Sequence, residues 1–90
     1  MHVPEHAAIR AALCHARQAA GLSQRALAER LNVPPSWVAK VELGERRIDF
    51  IEVCWVFAAC GLNVPAAAEA LARDVVATTK QRSRAGGRGR

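Results

Sequence analysis

Residues 32–35, the tetrapeptide Asn-Val-Pro-Pro, constrain the fold of this chain more than any other feature. An asparagine can adopt the left-handed conformation that ends a helix, and paired prolines fix an extended approach to the next helix. Apolar residues recur at helical spacing on both sides of this corner, over residues 24–31 and 36–43. Two helices joined so closely must approach at short distance, and Ala28 supplies the small side chain that this needs. The segment therefore predicts two short helices that cross steeply at a tight turn.

Helical spacing also accounts for most of the remaining chain. Apolar residues repeat at intervals of three and four between Pro4 and Gly21, between Asp49 and Gly61, and from Asn63 onward. Proline, aspartate and asparagine are typical of helix starts, and glycine is typical of helix ends. Alternating runs of β-branched residues, which would indicate strands, are missing, and aromatic residues make up only 4% of the chain. The sequence therefore predicts an all-α protein of five helices.

Positive charge is concentrated at the carboxyl end of the chain. Residues 80–90 contain five of the 13 Lys and Arg residues and no acid, so they hold the whole net charge of +5. The other eight basic residues are balanced by eight acidic ones, and a basic composition is therefore no argument by itself for nucleic acid. We expect one domain over residues 1–79 and a flexible, disordered basic tail over residues 80–90. Such a tail either anchors phosphates or is simply solvated.

Three cysteines raise the question of a disulfide or a metal site. An odd number of cysteines in a reducing compartment favours neither, and Cys14, Cys54 and Cys60 are expected to be small apolar packing residues. A metal site is the weaker alternative, because Cys14 and His15 point to different sides of the first helix. Its ligands would be His2, His6, Cys14 and His15. We expect no metal and no cofactor.

Catalysis and membrane insertion both lack a supporting motif. A chain of 90 residues rarely encloses a large active-site cavity, and it contains no nucleophile–base pair, paired carboxylates or phosphate-binding glycine loop. No signal-peptide pattern begins the sequence, and Glu52 interrupts the longest apolar run before it reaches the ~18 residues that span a bilayer. We expect a cytoplasmic protein that is not an enzyme and has no catalytic residues.

The outward side of the helix over residues 35–43 is the first functional signal. Its inward valines pack on the preceding helix, so its outward and flanking residues are Pro35, Ser36, Trp37, Ala39, Lys40 and Leu43. A helix held out in this way fits the major groove of duplex DNA, where a hydroxyl and a cation can reach base edges or phosphates. The alternatives are a solvated surface and, for Trp37, packing against the preceding helix.

Residues from about Arg10 to Leu71 resemble a known family. The pattern R-x3-G-L-S-Q-x2-L-A-x2-L-N-V, followed by S-W-V-x-K-x-E-x-G-E-R-R, is similar to that of phage-repressor and Cro-like (XRE-type) helix-turn-helix regulators. The resemblance implies a repressor-like bundle of five helices, with residues 24–43 as the helix-turn-helix motif and residues 35–43 as the recognition helix. It also implies a homodimer on a palindromic operator of double-stranded DNA. The pair Pro34-Pro35 departs from the family pattern, since it removes donors often used near the groove.

The resemblance also implies roles outside the recognition helix. Gln24 would contact the DNA backbone and brace the recognition helix, and the basic loop that follows Gly44 would face phosphates; a solvated amide and a solvated loop are the alternatives. Arg17 and Glu42 match a structural ion pair between the first helix and the end of the recognition helix. The DNA-contacting residues predicted in total are Gln24, Pro35, Ser36, Trp37, Lys40, Arg46 and Arg47.

The fourth helix is apolar nearly all round, although the single core of a small domain can bury only one side of it. Ile51, Trp55 and Ala58 fall on the side where polar residues are expected. Together with Leu71 and Val75 of the fifth helix, they predict a surface for a second copy of the chain or for another protein. The alternative is that the fifth helix folds back and covers this surface.

Two functions remain after these exclusions. The leading hypothesis is a sequence-specific transcriptional regulator, a repressor that binds DNA as a homodimer. The second hypothesis is a protein-interaction module, such as an antitoxin-like protein that uses its apolar surface to bind a cognate toxin or another protein.

Overall fold

Five α-helices and the turns between them make up residues 4–86, which the computed structural model describes, with side chains given up to residue 81. No strand occurs in this part of the chain, so the predicted all-α fold is confirmed. The helices are α1 (Pro4–Ala19), α2 (Gln24–Leu31), α3 (Pro35–Leu43), α4 (Phe50–Ala59) and α5 (Val64–Gly86).

The boundaries of α2 and α3 have local causes. The Ser23 hydroxyl oxygen accepts a hydrogen bond from the Ala26 amide at 3.0 Å, which caps α2. Asn32 ends α2 in the left-handed conformation, with a φ of 58°. α3 begins at Pro35 because a proline at the first helical position lacks only an amide donor that would have no helical partner. The corner between the two helices is therefore only residues 32–34.

A capping box starts α4. The Glu52 amide donates to Asp49 Oδ1 at 2.8 Å, and the Asp49 amide donates to Glu52 Oε1 at 3.1 Å. The two bonds satisfy backbone donors that have no partner within the helix. They also place the Glu52 carboxylate beside the loop between α3 and α4.

One core joins the five helices. α1 packs on α3, α4 and α5, while α2 packs on α3 and α4, and α4 packs on α5. Ala28 is 0% exposed and lets α2 approach its neighbours closely. Of the three cysteines expected to be packing residues, Cys60 is buried and Cys14 and Cys54 are half-buried. The buried residues are Leu13, Ala16, Leu27, Ala28, Val38, Val41, Val53, Val56, Phe57, Cys60 and Leu71.

α5 continues past Thr79, where the sequence predicts the end of the domain. The Thr79 hydroxyl donates to Glu5 Oε2 at 2.6 Å, which holds this part of α5 beside the start of α1. Lysine, glutamine and arginine follow Thr79 and are good helix formers, and the helix runs to Gly86. Thr79 is therefore not a helix end, and the predicted tail begins with helical backbone. The rest of that tail, residues 87–90, lies outside the described residues.

Residues 4–86, which the structure describes, contain neither a group of metal ligands nor a membrane-spanning helix. Within this range, no three His, Cys, Asp or Glu side chains are grouped so that they could hold a metal ion. His2, one of the four alternative ligands, lies outside it. No helix in the described part of the chain is long and apolar enough to cross a membrane.

The substitution Ala28→Leu tests the close approach of α2 in the core. Ala28 is completely buried, so three extra carbon atoms must displace neighbouring groups, and we expect the free energy of unfolding to fall by about 2 to 3 kcal/mol. Urea unfolding followed by circular dichroism measures this change. Ala7→Leu, at an exposed position of α1, is the matched control and should change the free energy by less than about 0.5 kcal/mol. Equal effects of the two variants would contradict the packing described here.

Candidate nucleic-acid interface

The polar side of α3 faces solvent because its apolar side is used in the core. Val38 and Val41 are 2% and 3% exposed. Pro35, Ser36 and Lys40 are exposed on the other side of the helix. Neither polar side chain is engaged by another described residue. α3 therefore carries a free hydroxyl and a free ammonium group on its outward surface.

The Glu42 carboxylate, near the end of α3, accepts hydrogen bonds from side chains of α1 and α2. Arg17 of α1 donates to it twice, from Nε to Oε2 at 2.7 Å and from Nη2 to Oε1 at 3.1 Å. Gln24, the first residue of α2, donates from Nε2 to Oε1 at 2.8 Å. Arg17 Nη1 also donates to the Leu22 carbonyl at 2.7 Å, which fixes the guanidinium against the turn before α2. The predicted pair of Arg17 and Glu42 is thus present, and Gln24 braces α3 through it.

The surroundings of this pair keep it charged. The Arg17 and Glu42 side chains are each 11% exposed. Burial by itself raises the pKa of Glu42, but the hydrogen bonds from Arg17 and Gln24 and the charge of Arg17 outweigh it, so this pKa lies below its ordinary value. The hydrogen bond to Glu42 raises the pKa of Arg17. An ion pair so well bonded restricts the orientation of α3, because charge-assisted hydrogen bonds are directional.

A second group of side chains holds the loop after α3. The Arg46 guanidinium lies 4.9 Å from the centre of the Trp37 ring and donates to both carboxylate oxygens of Glu52 at 3.2 Å. The pKa of Glu52 is lowered by the hydrogen bonds from Arg46 and from the Asp49 amide. Arg46, predicted to contact DNA, therefore already has an anionic partner within the chain. The contact between Arg46 and Glu52 is not predicted from the sequence. The spacing of Asp49 and Glu52, which is typical of a capping box, could have placed the Glu52 carboxylate at the start of α4 and so near this loop.

The side chains predicted to contact DNA differ in whether they already have partners within the protein. Trp37 is half-buried and packs against the core as well as against Arg46. Arg47 is exposed, and within the described residues it forms no ion pair. Among the two loop arginines, Arg47 is thus the one with a free charge.

The apolar surface of α4 is only partly as predicted. Ile51 and Trp55 are 60% and 53% exposed, and Ala58 is exposed as well, so α5 does not cover them. Leu71 was expected on the same surface, but this is wrong: it is 9% exposed and lies in the core, because α5 packs against both α1 and α4. Val75 is half-buried against the core.

Three large apolar residues are exposed that the sequence did not place on a surface: Phe50, Val76 and Leu62, which is 41% exposed. Phe50 is 70% exposed and Val76 is 52% exposed, and both line an apolar groove of about 310 Å³ between α4 and α5. Phe50 directly follows the capping residue of α4. A large apolar side chain there, outside the core positions of the helix, could have indicated an exposed apolar residue. No such signal marks Val76, since its exposure depends on how α5 is rotated.

The chain is similar to a known protein family. Residues 8–73 match the model of a helix-turn-helix domain. No curated protein matches the chain. Because the match covers most of the chain and includes the whole of α2 and α3, the protein belongs to this helix-turn-helix domain family. The assignment indicates DNA binding and a regulatory role, in a family that is typically not enzymatic.

The substitution Glu42→Gln tests the central ion pair. At pH 7 it leaves the Arg17 charge without a partner, and we expect a loss of about 3 kcal/mol in the free energy of unfolding. Since the pKa of Glu42 is lowered in the folded protein, its contribution is present above the ordinary pKa of 4.5 and is lost as the pH falls through the folded-state value. The difference between the parent protein and the variant should therefore shrink between pH 7 and pH 3 in urea unfolding.

Glu69→Gln is the matched control for this experiment. Glu69 pairs with Arg73 at 2.8 Å, but the two side chains are 65% and 76% exposed. Such a pair contributes little, and we expect a change below about 0.5 kcal/mol at either pH. A Glu42→Gln difference that stays constant from pH 7 to pH 3 would show that the carboxylate is not the stabilising group.

Proposed function

We propose that this protein is a sequence-specific transcriptional regulator of the phage-repressor and Cro-like type, a repressor that binds a palindromic operator as a homodimer. The observation that carries the proposal is the bracing of α3 by Glu42, which leaves the Ser36 and Lys40 side chains free on the outward side. A helix whose orientation is already fixed loses little entropy when it enters the major groove.

The proposed DNA contacts fall into two classes. Ser36 and Lys40 read base edges, and the apolar surfaces of Pro35 and Trp37 lie against sugars or thymine methyl groups. Gln24 and the basic loop contact phosphates; the free guanidinium of Arg47 supports this role more strongly than the paired one of Arg46. The basic segment over residues 80–90 adds phosphate contacts that do not depend on sequence.

The proposed dimer is supported by the exposed apolar residues of α4. Ile51 and Trp55 together with Ala58 form an exposed apolar surface. Such a surface is typical of a contact with another protein chain. A twofold axis through this surface makes the contact self-complementary. The two recognition helices would then lie about one helical turn of DNA apart, near 34 Å.

The same residues favour a second candidate function. In an antitoxin-like or other protein-interaction module, Ile51 and Trp55 would bind a different protein, such as a cognate toxin, while α3 is still exposed. The two functions differ in what covers the α4 surface. Sedimentation of the isolated protein distinguishes them, because only the first function needs a dimer of this chain.

Single substitutions on α3 test the mode of DNA binding. Lys40→Ala and Ser36→Ala should each weaken binding to an operator, selected from a random duplex library, by about 1 to 3 kcal/mol, because each removes a base-edge contact. Binding to a scrambled duplex should change much less. Fluorescence anisotropy with both duplexes measures the two affinities.

Lys80→Ala is the control for charge alone, since Lys80 is exposed on α5 and belongs to the segment proposed to contact phosphates. It should lower the affinity for both duplexes by the same small factor. If Lys40→Ala and Ser36→Ala bind the operator as tightly as the parent protein, α3 does not read the sequence.

The substitution Trp55→Glu tests the dimer. We expect the parent protein to sediment as a dimer at tens of micromolar and Trp55→Glu as a monomer, because the new carboxylate would be desolvated in the interface. Val76→Glu places the same charge on the exposed apolar position of α5 and should leave the dimer intact. A parent protein that is monomeric with and without DNA would exclude the homodimer. If Val76→Glu dissociates the dimer and Trp55→Glu does not, the interface lies on α5 and not on α4.

A further inference from the structure

A small basic cavity lies between α1 and the loop that follows α3. Its volume is about 50 Å³, which is room for a few water molecules or for one small oxyanion, and not for a nucleoside. Two isoleucines form its apolar part, three arginines and one histidine form its polar part, and Gly44 completes the lining: Ile9, Ile48, Arg10, Arg46, Arg47, His6 and Gly44.

The charges around this cavity are unbalanced. No acidic side chain lines it in the described part of the chain. Glu52 neutralises Arg46 from the side, at 3.2 Å. Arg10 and Arg47 form no ion pair with any described residue, although Arg10 is half-buried. Two guanidinium groups at one cavity repel each other, and an anion between them removes that repulsion.

The chemistry of the lining residues selects the kind of anion. Arginine forks bind carboxylate and phosphate oxygens alike through two parallel hydrogen bonds, but only a tetrahedral phosphate keeps further oxygens for a second guanidinium on another side. The two isoleucines reduce the exposure to water, which strengthens such bonds. The fixed position of Arg46 on Trp37 holds the loop, and with it Arg47, beside α1.

We propose that this cavity, which His6 also lines, binds one phosphate group held by Arg10 of α1 and Arg47 of the loop. The phosphate is either a backbone phosphodiester of DNA or a free phosphate ion. The first source rests on the proposed function, and it extends the phosphate contacts of the loop to α1; the second source does not depend on DNA binding.

The first measurement uses inorganic phosphate and the full chain without DNA. In a phosphate-free buffer at constant ionic strength, a titration followed by amide chemical shifts should give saturable shifts at Arg10, Gly44 and Arg47. Arg10→Gln should raise the dissociation constant about tenfold or more, because it removes a charge-assisted pair of hydrogen bonds. Arg73→Gln, an equal change of charge on an exposed position of α5, should leave the titration unchanged.

The second measurement distinguishes the two sources. The logarithm of the affinity for duplex DNA is measured against the logarithm of the salt concentration for the parent protein and for both variants. A phosphodiester in the cavity predicts that Arg10→Gln lowers the slope by about 0.9 while Arg73→Gln does not. An unchanged slope, together with phosphate binding that Arg10→Gln weakens, assigns the cavity to free phosphate.

The outcomes separate the cavity from the proposed function. If phosphate gives no saturable shifts and Arg10→Gln has the same DNA slope as Arg73→Gln, the phosphate site is overturned. If the parent protein binds no duplex at all, the regulator function fails, and the phosphate titration alone then decides the cavity. Arg47→Gln repeats both measurements from the other side of the cavity, in case Arg10→Gln does not fold.

Discussion

The Glu42 carboxylate is the contact on which the outward surface of α3 depends. It belongs to α3 and accepts hydrogen bonds from Arg17 of α1 and from Gln24 of α2. The buried valines of α3 hold the helix against the core, but apolar packing is non-directional and restricts rotation about the helix axis only loosely. The hydrogen bonds to Glu42 are directional, and they restrict rotation of α3 about its axis, so that the side opposite the buried valines stays turned away from the protein.

A second constraint acts near the start of α3. The Arg46 guanidinium lies on the Trp37 ring and pairs with Glu52, which also caps α4 through the Asp49 amide. One carboxylate therefore fixes the start of α4 and the loop before it. Since Trp37 is near the start of α3 and Glu42 is near its end, both ends of the helix are held by groups from other elements.

The apolar excess of α4 follows from the size of the domain. Five helices in a short chain enclose a small core. The side chains that α4 contributes to this core are Val53, Val56 and Phe57, and they leave no room in it for further residues of α4. Ile51 and Trp55 remain in contact with water because α5 packs on the opposite part of α4 and on α1. The apolar surface of α4 and the outward side of α3 belong to different helices.

Much of the fold could be predicted from the sequence, because the interactions involved are local. The caps at Ser23 and Asp49, the left-handed Asn32 and the small Ala28 depend on residues within about one helical turn or on the corner itself. The outward position of Lys40 follows from the same helical period. The pair of Arg17 and Glu42 was expected from the resemblance to a known family, and not from the spacing of the two residues.

The tertiary structure decided the rest. Leu71 lies in the core and Val76 in water, although both are apolar residues on one helix, because the rotation of α5 is set by its contacts with α1 and α4. The pairing of Arg46 with Glu52 and the bond from Thr79 to Glu5 also depend on where whole elements lie. The sequence by itself determined the helices, their ends and the free side of α3, since these follow from neighbours three or four residues apart. Only the packing of complete helices determined which apolar residues are buried and which basic residues meet at one cavity, because those contacts join residues far apart in the chain.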